Sequence, residues 1–222
     1  MNITCKCTAV HIEFFTQTAL FRHECCCHDC TAALWYAHKR GGPAPPVYQC
    51  LDSSWFPNAF TIVIGEEKLG AFLNFENADS TRFYCTDCWS VVCADHTFYE
   101  KKVLGTQIMN YQEFEGLTNV ELMPPQARHF VKDLSPDQLA ALPLWREDPS
   151  HVYQGPADNL LAQFPAMREA GQEGKDMNAQ ILLEKIGGAF VPVGEPRLSE
   201  GPATLMRKMT RQAEGESHDD NA

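Results

Sequence analysis

The chain has 222 residues, 44% of them hydrophobic, and sets 18 Lys and Arg against 29 Asp and Glu for a net charge of −11. That hydrophobic share supports a packed core and excludes wholesale disorder. A chain this acidic, with no basic stripe, is repelled by phosphate backbones, which argues against nucleic-acid partners.

No apolar run approaches the roughly 20 residues a membrane span needs. The start, Met1-Asn2-Ile3-Thr4-Cys5, lacks a basic segment followed by an apolar one, so no secretory signal is expected. The expected setting is therefore reducing and cytoplasmic. Ten cysteines in that setting read as metal ligands and free thiols rather than as disulfides.

In chain order, Thr8 to Phe15 alternates apolar Val10, Ile12 and Phe14 with His11 and Glu13, the pattern of a half-buried strand. Ala19 to Arg22 reads as a second short strand leading into a cysteine cluster. Thr31 to His38 fits either a helical turn or a strand. Gly41 to Pro46 is a loop, because two glycines and three prolines break regular structure. Ala59 to Ile64 is a β-branched strand. Ala71 to Phe75 alternates, and Phe72 fits only if both faces are buried. Thr81 to Cys85 and Ser90 to His96 flank a turn, and Thr97 to Leu104 follows.

The texture changes after about Gly116. Ser135, Pro136 and Gln138 form a helix start, with Ser135 as N-cap, Pro136 at the first helical position and Gln138 closing a capping box. That helix ends near Ala141. Two further helices are expected at about 157–170 and 176–186, the second stopped by Gly187-Gly188. The acidic, small-residue end is expected to be disordered. The division is a β domain over residues 1–150 and a partly helical extension over 151–222. No internal repeat is present.

The chain is organised around Cys25-Cys26-Cys27-His28-Asp29-Cys30, which holds four of the ten cysteines. Cys25, Cys27 and Cys30 give C-x-C-x-x-C, three thiolates close enough to converge on one ion. Cys5-Lys6-Cys7 and Cys85-Thr86-Asp87-Cys88 are simpler pairs. Zinc takes thiolates at about 2.3 Å in a tetrahedron, and four cysteines close a structural site. Cys5, Cys7, Cys85 and Cys88 are assigned to such a site. Cys25, Cys27 and Cys30 then hold a second zinc with three protein ligands and an open position, the mark of a catalytic zinc. Three thiolates weaken zinc for splitting water and suit a soft incoming ligand such as a substrate thiolate. Closure by Cys26, His28 or a distant residue is the alternative, with Cys26 the weaker candidate because successive side chains alternate. Two zinc ions per chain are expected.

This ordered set of seven cysteines resembles the family of glutathione-dependent formaldehyde-activating enzymes and centromere protein V. The resemblance covers roughly residues 3–145. It implies a mainly β, Mss4-like fold, a structural zinc on the two outer pairs, a second zinc on the middle triplet, and carbon–sulfur lyase or thiol-adduct chemistry. Where the family usually reads C-H-C-x-x-C, this chain has Cys26 in the histidine position. Thr8 and Trp89 stand where the family often has glycine, a residue that eases a positive-φ turn. Thr31 replaces a commonly basic residue.

His28 and Asp29 lie inside the triplet loop and suit a proton donor or acceptor, or simply a solvated turn; both readings stand. Trp35, Tyr36 and His38 read as packing before pocket lining. Cys50 and Cys93 read as buried free thiols. Trp55-Phe56-Pro57 is a candidate wall. The favoured expectation is an enzyme acting on a small-molecule thiol or thiol adduct, alone or as a homo-oligomer. The alternative is a non-catalytic zinc-binding interaction module.

Overall fold

The computed structural model describes residues 1–45, 50–107, 117–118, 123–145, 149–155, 157–170 and 177–192. The expected disordered end lies outside the described residues. In chain order come β1 (Asn2–Thr4), β2 (His11–Phe14), β3 (Phe21–Cys25), α1 (His28–His38), β4 (Leu51–Pro57), β5 (Phe60–Ile64), β6 (Leu69–Leu73), β7 (Ser80–Cys85) and β8 (Val91–His96). Then follow β9 (Val103–Thr106), β10 (Leu117–Thr118), β11 (Arg128–His129), α2 (Pro136–Ala141), α3 (Asp158–Ala170) and α4 (Ala179–Lys185). The chain is mainly β.

Among the described residues there are two sheets. One has four strands in the order β10-β1-β2-β5, and the other has seven in the order β11-β3-β4-β9-β8-β7-β6. Alternation builds the first: Val10, Ile12 and Phe14 are buried, and His11 and Glu13 are only partly so. Phe14 packs on Phe56 of β4 and Phe60 of β5, ring centroids 5.0 and 5.4 Å apart, which ties the two sheets together. Burial of each such ring contributes about 1.5–3 kcal/mol.

The second sheet departs from the sequence reading in instructive ways. β3 starts at Phe21 and continues through His23 to Cys25, so a strand carries the chain into the cysteine cluster. β4 has no clear alternation in its sequence because it lies inside the sheet, between β3 and β9, and is buried on both faces over much of its length. Residues 71–73 of β6 behave as the apolar run requires, with Ala71 and Phe72 both buried. Thr97–Tyr99 is a 3₁₀ turn that breaks the 97–104 stretch before β9.

Thr31 to His38 is helical, and the helix begins earlier, at His28. Cys27 is its N-cap, accepting a hydrogen bond from the Cys30 backbone N–H at 3.4 Å. The middle triplet thus lies at a strand end and a helix start. α2 carries the capping box of Ser135 and Gln138, with Pro136 at its start. Asn178 caps α4, and Gly187 (φ 82°) and Gly188 (φ 97°) end it in the left-handed region. Ala179 and Leu182 of α4 are fully buried in the main core. No helix among the described residues is long and apolar enough to cross a membrane.

Candidate metal centre

The outer cysteines meet where the two sheets join. Cys5 and Cys7 lie between β1 and β2; Cys85 ends β7 and Cys88 lies in the turn to β8. All four sulfurs fall within 4.8 Å of one another, with Cys7 Sγ 3.5 Å from Cys5 Sγ and 3.7 Å from Cys85 Sγ. Each pair is shaped by a left-handed residue that is not glycine, Thr8 at φ 65° and Trp89 at φ 56°. The turns close through Thr8 N–H to Cys5 O at 2.9 Å and Trp89 N–H to Cys85 O at 2.7 Å. Val10 N–H reaches Cys5 Sγ at 3.2 Å. Burial pushes the Cys85 thiol up. It opposes the Cys88 thiolate too, but hydrogen bonds from the Ser90 hydroxyl and from backbone outweigh it and bring Cys88 to about 7. Ser90 also accepts the Lys6 N–H at 3.0 Å, a direct tie between the two turns.

Cys25, Cys27 and Cys30 also have their sulfurs within 4.8 Å of one another. Hydrogen bonds donated by Cys25 and Cys27 bring the Cys30 thiol well below its ordinary value against the effect of burial, and Arg82 adds to this. The hydrogen bonds that Cys25 donates to Cys27 and Cys30, together with its burial, in turn hold its own thiol well above its ordinary value. Three mutually close soft donors at the N-terminus of an 11-residue helix fit a divalent metal.

Cys26 is not available to close this centre, and Cys50 is not a free thiol. They form a disulfide, with Cα atoms 4.5 Å apart. This corrects the expectation of free thiols, and the reason is register: Cys25 faces Leu51 in the antiparallel β3–β4 pair, so the next residue out on each strand brings Cys26 opposite Cys50. The Cα separation lies within the range a disulfide needs. Cys93 is a buried free thiol.

The triplet opens into a cavity of about 470 Å³ lined by His28, Asp29, Trp55, Arg82, Lys132 and Asp133 among others. His28 is held from outside the helix: its backbone N–H reaches Asp133 Oδ2 at 3.2 Å, and its ring Nδ1 lies 3.1 Å from the same oxygen. Its Nε2 lies 3.4 Å from Asp29 Oδ1. Burial raises the Asp29 carboxyl above the usual range, opposed by His28 and Arg82. Asn74 Nδ2 donates to the Asp29 carbonyl at 2.8 Å and fixes the first turn of α1. Of the named candidate walls, Trp55 lines the cavity, whereas Phe56 is fully buried in the core. Tyr36 packs on Phe72 and Trp89, and Trp35 on His38.

Three residues beside the triplet escaped the sequence reading. Asp133 is 105 residues from His28. His23 lies two positions before Cys25 on β3, hence on the same face, and His129 faces Cys25 across the parallel β11–β3 pair. Their rings meet edge-to-face with centroids 4.0 Å apart. Burial drives both imidazoles down, His129 to about 4, so both are neutral at pH 7. The available signal was the histidine at i−2 from a cysteine ligand inside an alternating strand.

No family model matches this chain, and no curated protein does. A solved structure described as a Rhodobacter sphaeroides protein is similar at 19% identity with a TM-score of 0.35, over 53% of this chain and 91% of that one.

Proposed function

We propose that this chain is a zinc-dependent enzyme of the glutathione-dependent formaldehyde-activating and centromere protein V type, with an Mss4-like fold, that makes or breaks a C–S bond in a small thiol or thiol adduct. The observation that carries this reading is the position of Cys25, Cys27 and Cys30 at a roomy cavity, with Cys26 withdrawn into a disulfide. A zinc ion held by the triplet would supply a soft Lewis-acid position suited to a thiolate.

The chain's own residues supply the rest. His28 holds or releases a proton at Nε2, because Asp133 engages Nδ1 and keeps the ring oriented. Asp29 Oδ1 lies 3.4 Å from that nitrogen, within reach of the proton it carries. Arg82 is buried and directed at the first turn of α1, where its charge favours thiolate over thiol. Trp55 gives the cavity an apolar wall that excludes water from one side of the substrate.

The test is turnover of thiol–aldehyde adducts in either direction by the zinc-loaded protein. His28→Gln is expected to lower kcat by about 10²–10⁴-fold with KM changed far less, the usual range for loss of a positioned acid or base. An unchanged kcat removes His28 from the chemistry. Absence of turnover on any thiol adduct, with the triplet loaded, favours the non-catalytic module.

A further inference from the structure

We propose that His23, His129 and Cys25 hold a metal ion of their own, fused to the triplet through the Cys25 sulfur, so that the centre contains two metal positions bridged by one thiolate. The inference rests on the triplet holding a metal, and not on the thiol chemistry proposed for it.

The geometry is set by the sheet. His23 and Cys25 share a face of β3, and His129 stands opposite Cys25 on β11. Their donor atoms lie within 4.8 Å of one another, and those of Cys25, Cys27 and Cys30 do likewise, so two groups meet at one sulfur. The register that creates this is fixed on adjacent positions, where Arg128 faces Glu24 and donates to it at 2.6 Å.

A packing role alone does not explain the histidines. His23 is 1% exposed and His129 4%. His23 Nδ1 and both ring nitrogens of His129 are buried with no hydrogen-bond partner among the described residues, whereas buried polar atoms are nearly always paired. A metal satisfies such a nitrogen directly, and imidazole beside thiolate suits zinc and other late divalent ions.

Charge is compatible with a second ion. A single divalent ion on three thiolates leaves a net negative charge, which the buried Arg82 beside it offsets. Two divalent ions leave one positive charge, since neutral imidazoles add none, and an incoming thiolate cancels it. The fused centre is therefore neutral with a thiolate bound.

The test is metal content and magnetism of the cobalt-loaded full chain. The three donor groups among the described residues predict about three ions per chain. His129→Gln and His23→Gln are each expected to lose one, with the visible bands of both cysteine sites retained. Two high-spin cobalt ions sharing a thiolate couple magnetically, so the parent's paramagnetic signal should fall below its counted cobalt, and either variant should restore the match. The outer site serves as an internal check of folding in both variants. A parent with two ions per chain, or variants that keep the parent's count, overturns the inference, as does a variant that shifts the triplet bands at constant count, which makes the histidine a fourth ligand of a single ion. An inactive protein with three ions refutes only the proposed activity, and an active one with two refutes only this second position.

Discussion

Thr8 and Trp89 adopt a conformation that L-residues avoid, at a cost of about 1 kcal/mol or more each. What offsets it differs between the two. Thr8 is exposed, so it keeps its turn without compensating packing. Trp89 stacks on Tyr84 with centroids 4.4 Å apart and meets Tyr36 edge-on at 5.9 Å. The two glycine substitutions should therefore have opposite signs. Thr8→Gly is expected to stabilise the metal-loaded protein by about 1 kcal/mol, and Trp89→Gly to destabilise it by about 2–3 kcal/mol. Denaturant unfolding at fixed zinc measures both; equal effects would mean that strain does not distinguish the turns. Sequence alone marks these positions as non-glycine but does not reveal their φ, because the knuckle is imposed by contacts from the other turn, such as Ser90 to Lys6.

At the scale of elements, the β3–β4 and β3–β11 pairs decide which side chains reach the centre. The Cys26–Cys50 disulfide clamps the end of the first pair across 24 residues, and a closure of that length contributes about 3 kcal/mol. Replacing both residues with alanine is expected to lower stability by that amount while the triplet keeps its metal; loss of the triplet metal would show that the disulfide shapes the ligand loop. In the second pair, Arg128 is 7% exposed at its side chain and pairs with Glu24. Glu24→Ala leaves that guanidinium without its carboxylate and should cost about 3 kcal/mol, with loosened pairing of His129 against Cys25 visible as faster amide exchange on β11. Unchanged stability would assign the register to backbone pairing alone. These pairings explain what was hidden in the sequence. Local alternation exposed β2, and local capping chemistry exposed α2. The partners of β3 come from 26 to 34 residues away in β4 and from 104 away in β11, separations at which no periodicity signals a neighbour. The disulfide, His129 and Asp133 were hidden for the same reason, whereas cysteine spacing made both thiol groups readable without any register.

Over the whole molecule, the outer cysteines join the four-stranded sheet to β7 and β8 of the seven-stranded one, and the triplet occupies the end of β3 with its cavity beside it. The outer group has four donors around one point, whereas the triplet has three and borders on solvent-accessible space. That asymmetry is the basis for assigning stability to one and chemistry to the other. The direct measurement is a titration of the cobalt-substituted protein with glutathione, followed through the thiolate charge-transfer and ligand-field bands. The expected result is a saturable change with proton release, with apparent affinity rising as pH approaches the thiol's own pKa, and with the response abolished in Cys27→Ala while the outer-site bands persist. Bands that do not move at saturating thiol, with cobalt present at the triplet, would contradict an open sulfur-accepting centre.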